Sequence, residues 1–131
     1  MDKPRIIEFK HIIHKQGHIT VAEFQRHIPF PLNRVYWLTE VPEGQQRGNH
    51  ATHEGIRIIV CLKGYVEVTL ENLQGNDFKY RIDQPNIGLL IPPRFWSRIT
   101  FSKDCILLCF VSNRFDESDY IRDYQAFLSL K

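Results

Sequence analysis

The chain has 131 residues and 15.5 kDa, with 17 Lys and Arg against 15 Asp and Glu and a formal net charge of +2. At 43% hydrophobic and 24% charged residues it lies far from the composition of disordered chains, and a single domain over residues 1–131 buries roughly two thirds of its unfolded surface. Cations interleave with anions without a basic block, so the electrostatic footprint of a nucleic-acid binder is missing.

The first segment, MDKPRIIEFKHIIHKQG, carries a charge or a histidine every few residues and lacks the apolar run of a signal peptide. No later segment approaches the roughly twenty apolar residues that span a bilayer. Strands are predicted at HITVAEF, NRVYWLTEV and IRIIVCLKG, runs rich in Val, Ile and aromatics between turn residues. In GYVEVTLEN, Val66, Val68 and Leu70 alternate with Tyr65, Glu67, Thr69 and Glu71, the period of a half-buried antiparallel strand. Gly75 and Asn76 then make a turn into FKYRI, giving a hairpin.

IGLLI and DCILLCFVS complete the predicted strands, and the proline segments IPFPLN and IPPRFW read as strand entries and edges. Seven or more short strands at this spacing imply an all-β sandwich or barrel. In DESDYIRDYQAFLSLK the recurrence of Tyr120, Tyr124, Phe127 and Leu128, with Ser118 as cap, predicts a short C-terminal helix packed on the sheet. Cys61, Cys105 and Cys109 are odd in number and sit in apolar runs, which fits buried thiols in a reducing cytoplasm.

Three segments carry candidate chemistry. RGNHATHEGIR holds His50 and His53 with Glu54 beside them, a metal-ligand set by composition. In an extended strand, however, positions 50 and 52 share a face while 53 lies on the other, unless a bulge near Gly55 rotates His53 back. Metal site, active site and solvated loop all stay open on these residues alone. Tyr36, Arg47 and His50 form a second candidate, with Gly48 able to turn the backbone so that Arg47 meets an anionic ligand, although Tyr36 between Val35 and Trp37 also reads as core. Trp96 in IPPRFW is either a stacking platform for a ligand or a core plug.

The order of the blocks IPFPLNRVYWLTEVPEGQQRGNHA, VCLKGYVEVTLEN, NIGLLIPPRFW and FDESDYIRDYQAFL resembles the sugar 3,4-ketoisomerases, small cupins acting on dTDP-4-keto-6-deoxy-D-glucose. The resemblance spans roughly residues 16 to 130. It implies a double-stranded β-helix (a jelly-roll barrel), a homodimer that exchanges N-terminal strands, a dTDP-linked ketosugar as ligand, and no cofactor or metal. The implied reaction moves a ketone from C4 to C3 through an enediol and feeds deoxysugar biosynthesis for lipopolysaccharide O-antigen, other surface glycans and antibiotics.

On this resemblance His50 is the base, Tyr36 contacts the sugar oxygens, and Arg47 supports the site or the phosphates. Trp96 stays a candidate for substrate binding. The sequence departs from the family pattern R-G-x-H-A-H-K at one telling position, where Thr52 stands for the second histidine, the proton shuttle. Arg57 replaces a glutamine, adds positive charge to the same wall and is a candidate substrate-binding residue for a more acidic ligand. If Thr52 and a water relay the proton, the chain is a ketoisomerase; otherwise it is a sugar-nucleotide-binding cupin of altered specificity or without catalysis.

Overall fold

The alternation in GYVEVTLEN becomes a regular strand, hydrogen-bonded along both edges, in a computed structural model that describes residues 2–131. In chain order the strands are β1 (Arg5–Glu8), β2 (Lys10–Ile12), β3 (Ile19–Val21), β4 (Arg34–Leu38), β5 (Gln46–Thr52) and β6 (Arg57–Lys63). They continue with β7 (Val66–Glu71), β8 (Asp77–Ile82), β9 (Ile87–Ile91), β10 (Trp96–Phe101), β11 (Ile106–Val111) and β12 (Tyr120–Ile121), before one helix, α1 (Tyr124–Leu128).

One five-stranded sheet has the order β1-β9-β6-β11-β4 and the other β12-β5-β10-β7-β8, while β2 and β3 form a separate hairpin. Every pairing between these strands is antiparallel. The two sheets face each other across one core containing Ile59, Val66, Val68, Leu70, Leu89 and Leu107, each worth about 1.5–3 kcal/mol of transfer free energy. This is the all-β, double-stranded β-helix expected from the sequence.

Strict alternation on β6 divides its side chains. Ile59 and Cys61 enter the interior, whereas Ile58 and Val60 pack outside under Ile7, Phe9, Ile28 and Phe30 of the N-terminal region. Arg57 has the parity of Ile59 and so begins the interior face of a central strand.

The predicted hairpin is present: β7 pairs with β8 from Val66↔Ile82 to Glu71↔Asp77, and the Asn72 side chain accepts from the backbone N–H groups of Gln74 and Asn76 in the turn. Five strands were not anticipated, namely β1, β2, β5, β10 and β12. The predicted helix also starts later than its Ser118 cap. Asp116 caps a 3₁₀ turn over Glu117–Asp119, Tyr120 and Ile121 pair with Thr52 and Ala51, and Asp123 caps α1 by accepting from Ala126 N–H. Sheet pairing satisfies the backbone of residues 120 and 121, so the i, i+4 pattern that included Tyr120 is overridden. The rest of the pattern holds, with Phe127 fully buried and Tyr124 and Leu128 packed beside it.

Candidate active site

A cavity of about 430 Å³ lies inside the barrel, and its wall brings together Tyr36, Arg47, His50 and Arg57. They come from three strands: Tyr36 from the edge strand β4, Arg47 and His50 from β5, and Arg57 from β6. Arg47 and His50 are three residues apart and would diverge in a regular strand. They converge because Gly48 (φ +91°) and Asn49 (φ +54°) form a bulge, where the register against β10 shifts between Ser97↔His50 and Arg98↔Gly48. A Cβ on residue 48 would stand 2.9 Å from the Ser97 carbonyl oxygen, so only glycine fits.

His50 is held on both ring nitrogens. Arg57 Nη1 lies 3.1 Å from Nε2, and Nδ1 lies 3.1 Å from the Gly48 carbonyl oxygen. A guanidinium can only donate, so Nε2 accepts and Nδ1 carries the proton that Gly48 receives. Burial first, and the Arg57 charge second, lower the His50 pKa to about 3. The imidazole is therefore neutral throughout the physiological range. The Ser97 hydroxyl donates to the His50 carbonyl at 3.2 Å and accepts from Arg57 Nη2 at 3.3 Å, tying both residues to β10.

Tyr36 stands opposite Cys109 across the β4–β11 pairing. Burial raises its pKa well above the usual phenol range, with Cys109 as the next cause, so its hydroxyl keeps its proton. Around the cavity stand four arginines, Arg34, Arg47, Arg57 and Arg122, and among the described residues no carboxylate lines it. Arg122 is neutralised by a two-pronged pair with Glu117. The Arg34 guanidinium lies 5.5–5.9 Å from the ring centroids of Tyr36, Phe115 and Tyr120. A concave, aromatic-edged space with converging guanidiniums suits an anionic small molecule.

Two sequence-based site expectations need correction. Trp96 is 4% exposed and packs on the far side of the second sheet against Tyr124 and Phe127, with Ala51 and Ile121. As the first residue of β10 its ring faces α1, away from the cavity. Thr52 is 3% exposed and does not line the cavity; its hydroxyl donates to the Gly55 carbonyl at 2.7 Å and closes the bend between β5 and β6. His53 has the opposite parity and lines a separate groove with Glu54, Phe78 and Arg94. Among the described residues no three His, Cys, Asp or Glu side chains are grouped to hold a metal ion.

Sequence reasoning missed Arg34, Phe115, Tyr120 and Arg122 on the wall. Arg34 shares the parity of Tyr36 and was findable on that ground. Tyr120 and Arg122 flank the buried Ile121 in the same way, a period-two signal hidden by the helical reading.

A double-stranded β-helix whose largely apolar cavity carries converging arginines defines a cupin-type small-molecule site. The chain belongs to the WxcM-like, C-terminal family (FdtA), whose model matches residues 2–131. It is 35% identical over 125 residues to the TDP-4-oxo-6-deoxy-α-D-glucose-3,4-oxoisomerase of Aneurinibacillus thermoaerophilus, covering 94% of this chain and 88% of that protein. The sugar 3,4-ketoisomerase QdtA of Thermoanaerobacterium thermosaccharolyticum, solved in complex with TDP, superposes with a TM-score of 0.94 at 33% identity over 99% of this chain and 95% of the other. A 3,4-ketoisomerase from Helicobacter canadensis gives a TM-score of 0.92 at 32% identity over 99% and 97%.

Proposed function

We propose that this protein is a sugar 3,4-ketoisomerase that converts a TDP-linked 4-keto-6-deoxyhexose to its 3-keto isomer in deoxysugar biosynthesis. One observation carries the reading most directly: a neutral histidine on the cavity wall whose Nε2 accepts from a buried guanidinium beside it, in a chain of this family. A proton next to a carbonyl is too weak an acid for bulk water, so the reaction needs a positioned base and donors for the oxygen that gains charge. His50 takes the C3 proton, and the electrons of that bond form the C3=C4 double bond while O4 gains the charge. The proton then returns at C4, the O3 proton passes to O4, and the ketone is left at C3.

Arg47 and Arg34 suit the diphosphate, and Tyr36 suits the sugar oxygens. The exchange of a proton between O3 and O4 falls to a hydroxyl on the wall; Tyr36, half-buried, protonated and on the cavity lining, supports that role, whereas the Thr52 hydroxyl is spent on the Gly55 carbonyl. No helix of the described residues is long and apolar enough to cross a membrane, and the three buried cysteines support a cytoplasmic location.

A homodimer with exchanged N-terminal strands is part of the proposal. Val35, Trp37 and Leu62 leave apolar surface on the outer face of the first sheet, with Trp37 64% exposed. In an exchanged dimer the β9 edge that β1 occupies here would receive the same strand from a second copy.

The test is turnover of TDP-4-keto-6-deoxyglucose followed by proton NMR. A 3-keto product, absent with His50→Ala, supports the isomerase; saturable TDP binding with no product would instead make the chain a sugar-nucleotide-binding cupin.

A further inference from the structure

Arg57 is 3% exposed, yet among the described residues no carboxylate lies within ion-pair distance of it. Its Nε is buried without a hydrogen-bond partner, and its other nitrogens reach only the neutral acceptors His50 Nε2 and Ser97 Oγ. A buried cation without a counter-charge is costly, and a fold retains one where an anion arrives. β6 anchors the backbone of Arg57 in the middle of a sheet, paired to Ile91 of β9 on one side and Val111 of β11 on the other.

Resting on the isomerase reading above, we propose that Arg57 is a catalytic residue whose N–H passes from His50 Nε2 to the sugar O4 as charge develops there. A C3–H presented to Nε2 carries its C4 oxygen close by, and the donor that must release Nε2 is already 3.1 Å away. One movement of a hydrogen bond thus frees the lone pair and neutralises the enediolate. Before that movement the guanidinium opposes protonation of His50; afterwards its charge is compensated by O4, and the imidazolium formed in the same step is no longer penalised. The other groups facing His50 do not supply this. Tyr36 and Cys109 are kept protonated by burial, Tyr120 packs in a T-shaped arrangement with ring centroids 5.1 Å apart, and Arg122 is paired with Glu117. Arg34 and Arg47 line the cavity from β4 and β5 but make no hydrogen bond to His50.

The test combines ring NMR of His50, kinetics on TDP-4-keto-6-deoxyglucose and calorimetric titration with TDP, for the wild type and Arg57→Gln. In the wild type His50 stays neutral down to about pH 4. In Arg57→Gln its titration moves up by at least one pH unit, kcat falls about 10²–10³-fold, and TDP affinity stays within twofold. Titration of wild-type His50 near pH 6.5, unchanged kcat in Arg57→Gln, or a tenfold loss of TDP affinity with kcat preserved would each overturn the role. The last result would make Arg57 a phosphate ligand.

An inactive wild type whose His50 titrates as described would instead overturn the isomerase reading, and the catalytic role of Arg57 with it. Should Arg57→Gln not fold, Arg57→Lys serves: it keeps the charge but loses the fork, so His50 stays neutral while kcat falls, and full activity would overturn the proposal.

Discussion

At the scale of single residues, His50 and Gly48 govern the site together. Removing the imidazole in His50→Ala should lower turnover about 10²–10⁴-fold, the usual worth of a positioned general base, with folding checked by circular dichroism. His50 also links pH to stability. Its folded pKa of about 3 lies below the unfolded value near 6.5, so the unfolded chain binds more protons between these pH values and stability falls as pH drops through that window. The predicted loss from this group is about 2 kcal/mol between pH 7 and pH 5. Urea denaturation of the wild type and His50→Gln at the two pH values isolates it; equal pH dependence in both would refute it. Gly48→Ala should destabilise the fold by about 1–3 kcal/mol, because a side chain at φ +91° is strained and meets the Ser97 carbonyl, and it should cost activity beyond that by turning His50 from Arg57.

At the scale of elements, the C-terminal segment does two things that the sequence pattern merged into one. Residues 120 and 121 extend the second sheet and send Tyr120 to the cavity, while α1 seats Phe127 against Trp96. Phe127→Ala should therefore cost about 3–5 kcal/mol, measurable by chemical denaturation, and Trp96→Phe should leave KM for the ketosugar unchanged. A large rise in KM for Trp96→Phe in folded protein would restore the ligand-stacking reading.

What the sequence makes legible follows from the length over which a pattern persists. β7 and β8 alternate cleanly for six residues each and read correctly, as does the parity that separates His50 from His53. β12 has only two residues, too few for a period, and its chain neighbours satisfy a helical spacing. Trp96 heads a strand whose later residues alternate, with Ile99 and Phe101 inside and Arg98 and Thr100 outside, but Trp96 is itself buried on the outer face because α1 covers it, and burial of a large aromatic there masks the parity. Thr52 shares the parity of His50, but the hydrogen bond that withdraws its hydroxyl goes to Gly55 across a bend that no strand pattern describes. Arg57 was placed on the correct wall; that it lacks a carboxylate partner is a property of the assembled barrel alone.

At the scale of the whole molecule, two facing sheets let opposed strands present a base and a cation to one enclosed space, with β5 and β6 joined by a bend of four residues between Thr52 and Arg57. The outer face of the first sheet carries Val35 and Trp37 beside the half-buried Leu108 and Phe110. If the proposed dimer forms through this face, Trp37→Glu should shift it toward monomer in sedimentation velocity; an unchanged sedimentation coefficient at low concentration would place the interface elsewhere.

The central claim is that His50 removes the proton next to the ketone in a site without a second histidine. Proton NMR of TDP-4-keto-6-deoxyglucose in D₂O tests it, with the wild type, His50→Ala and Thr52→Val run side by side. The account predicts loss of the C3 proton signal and appearance of the 3-keto sugar with the wild type and Thr52→Val, and neither change with His50→Ala. Exchange that persists in His50→Ala would contradict it.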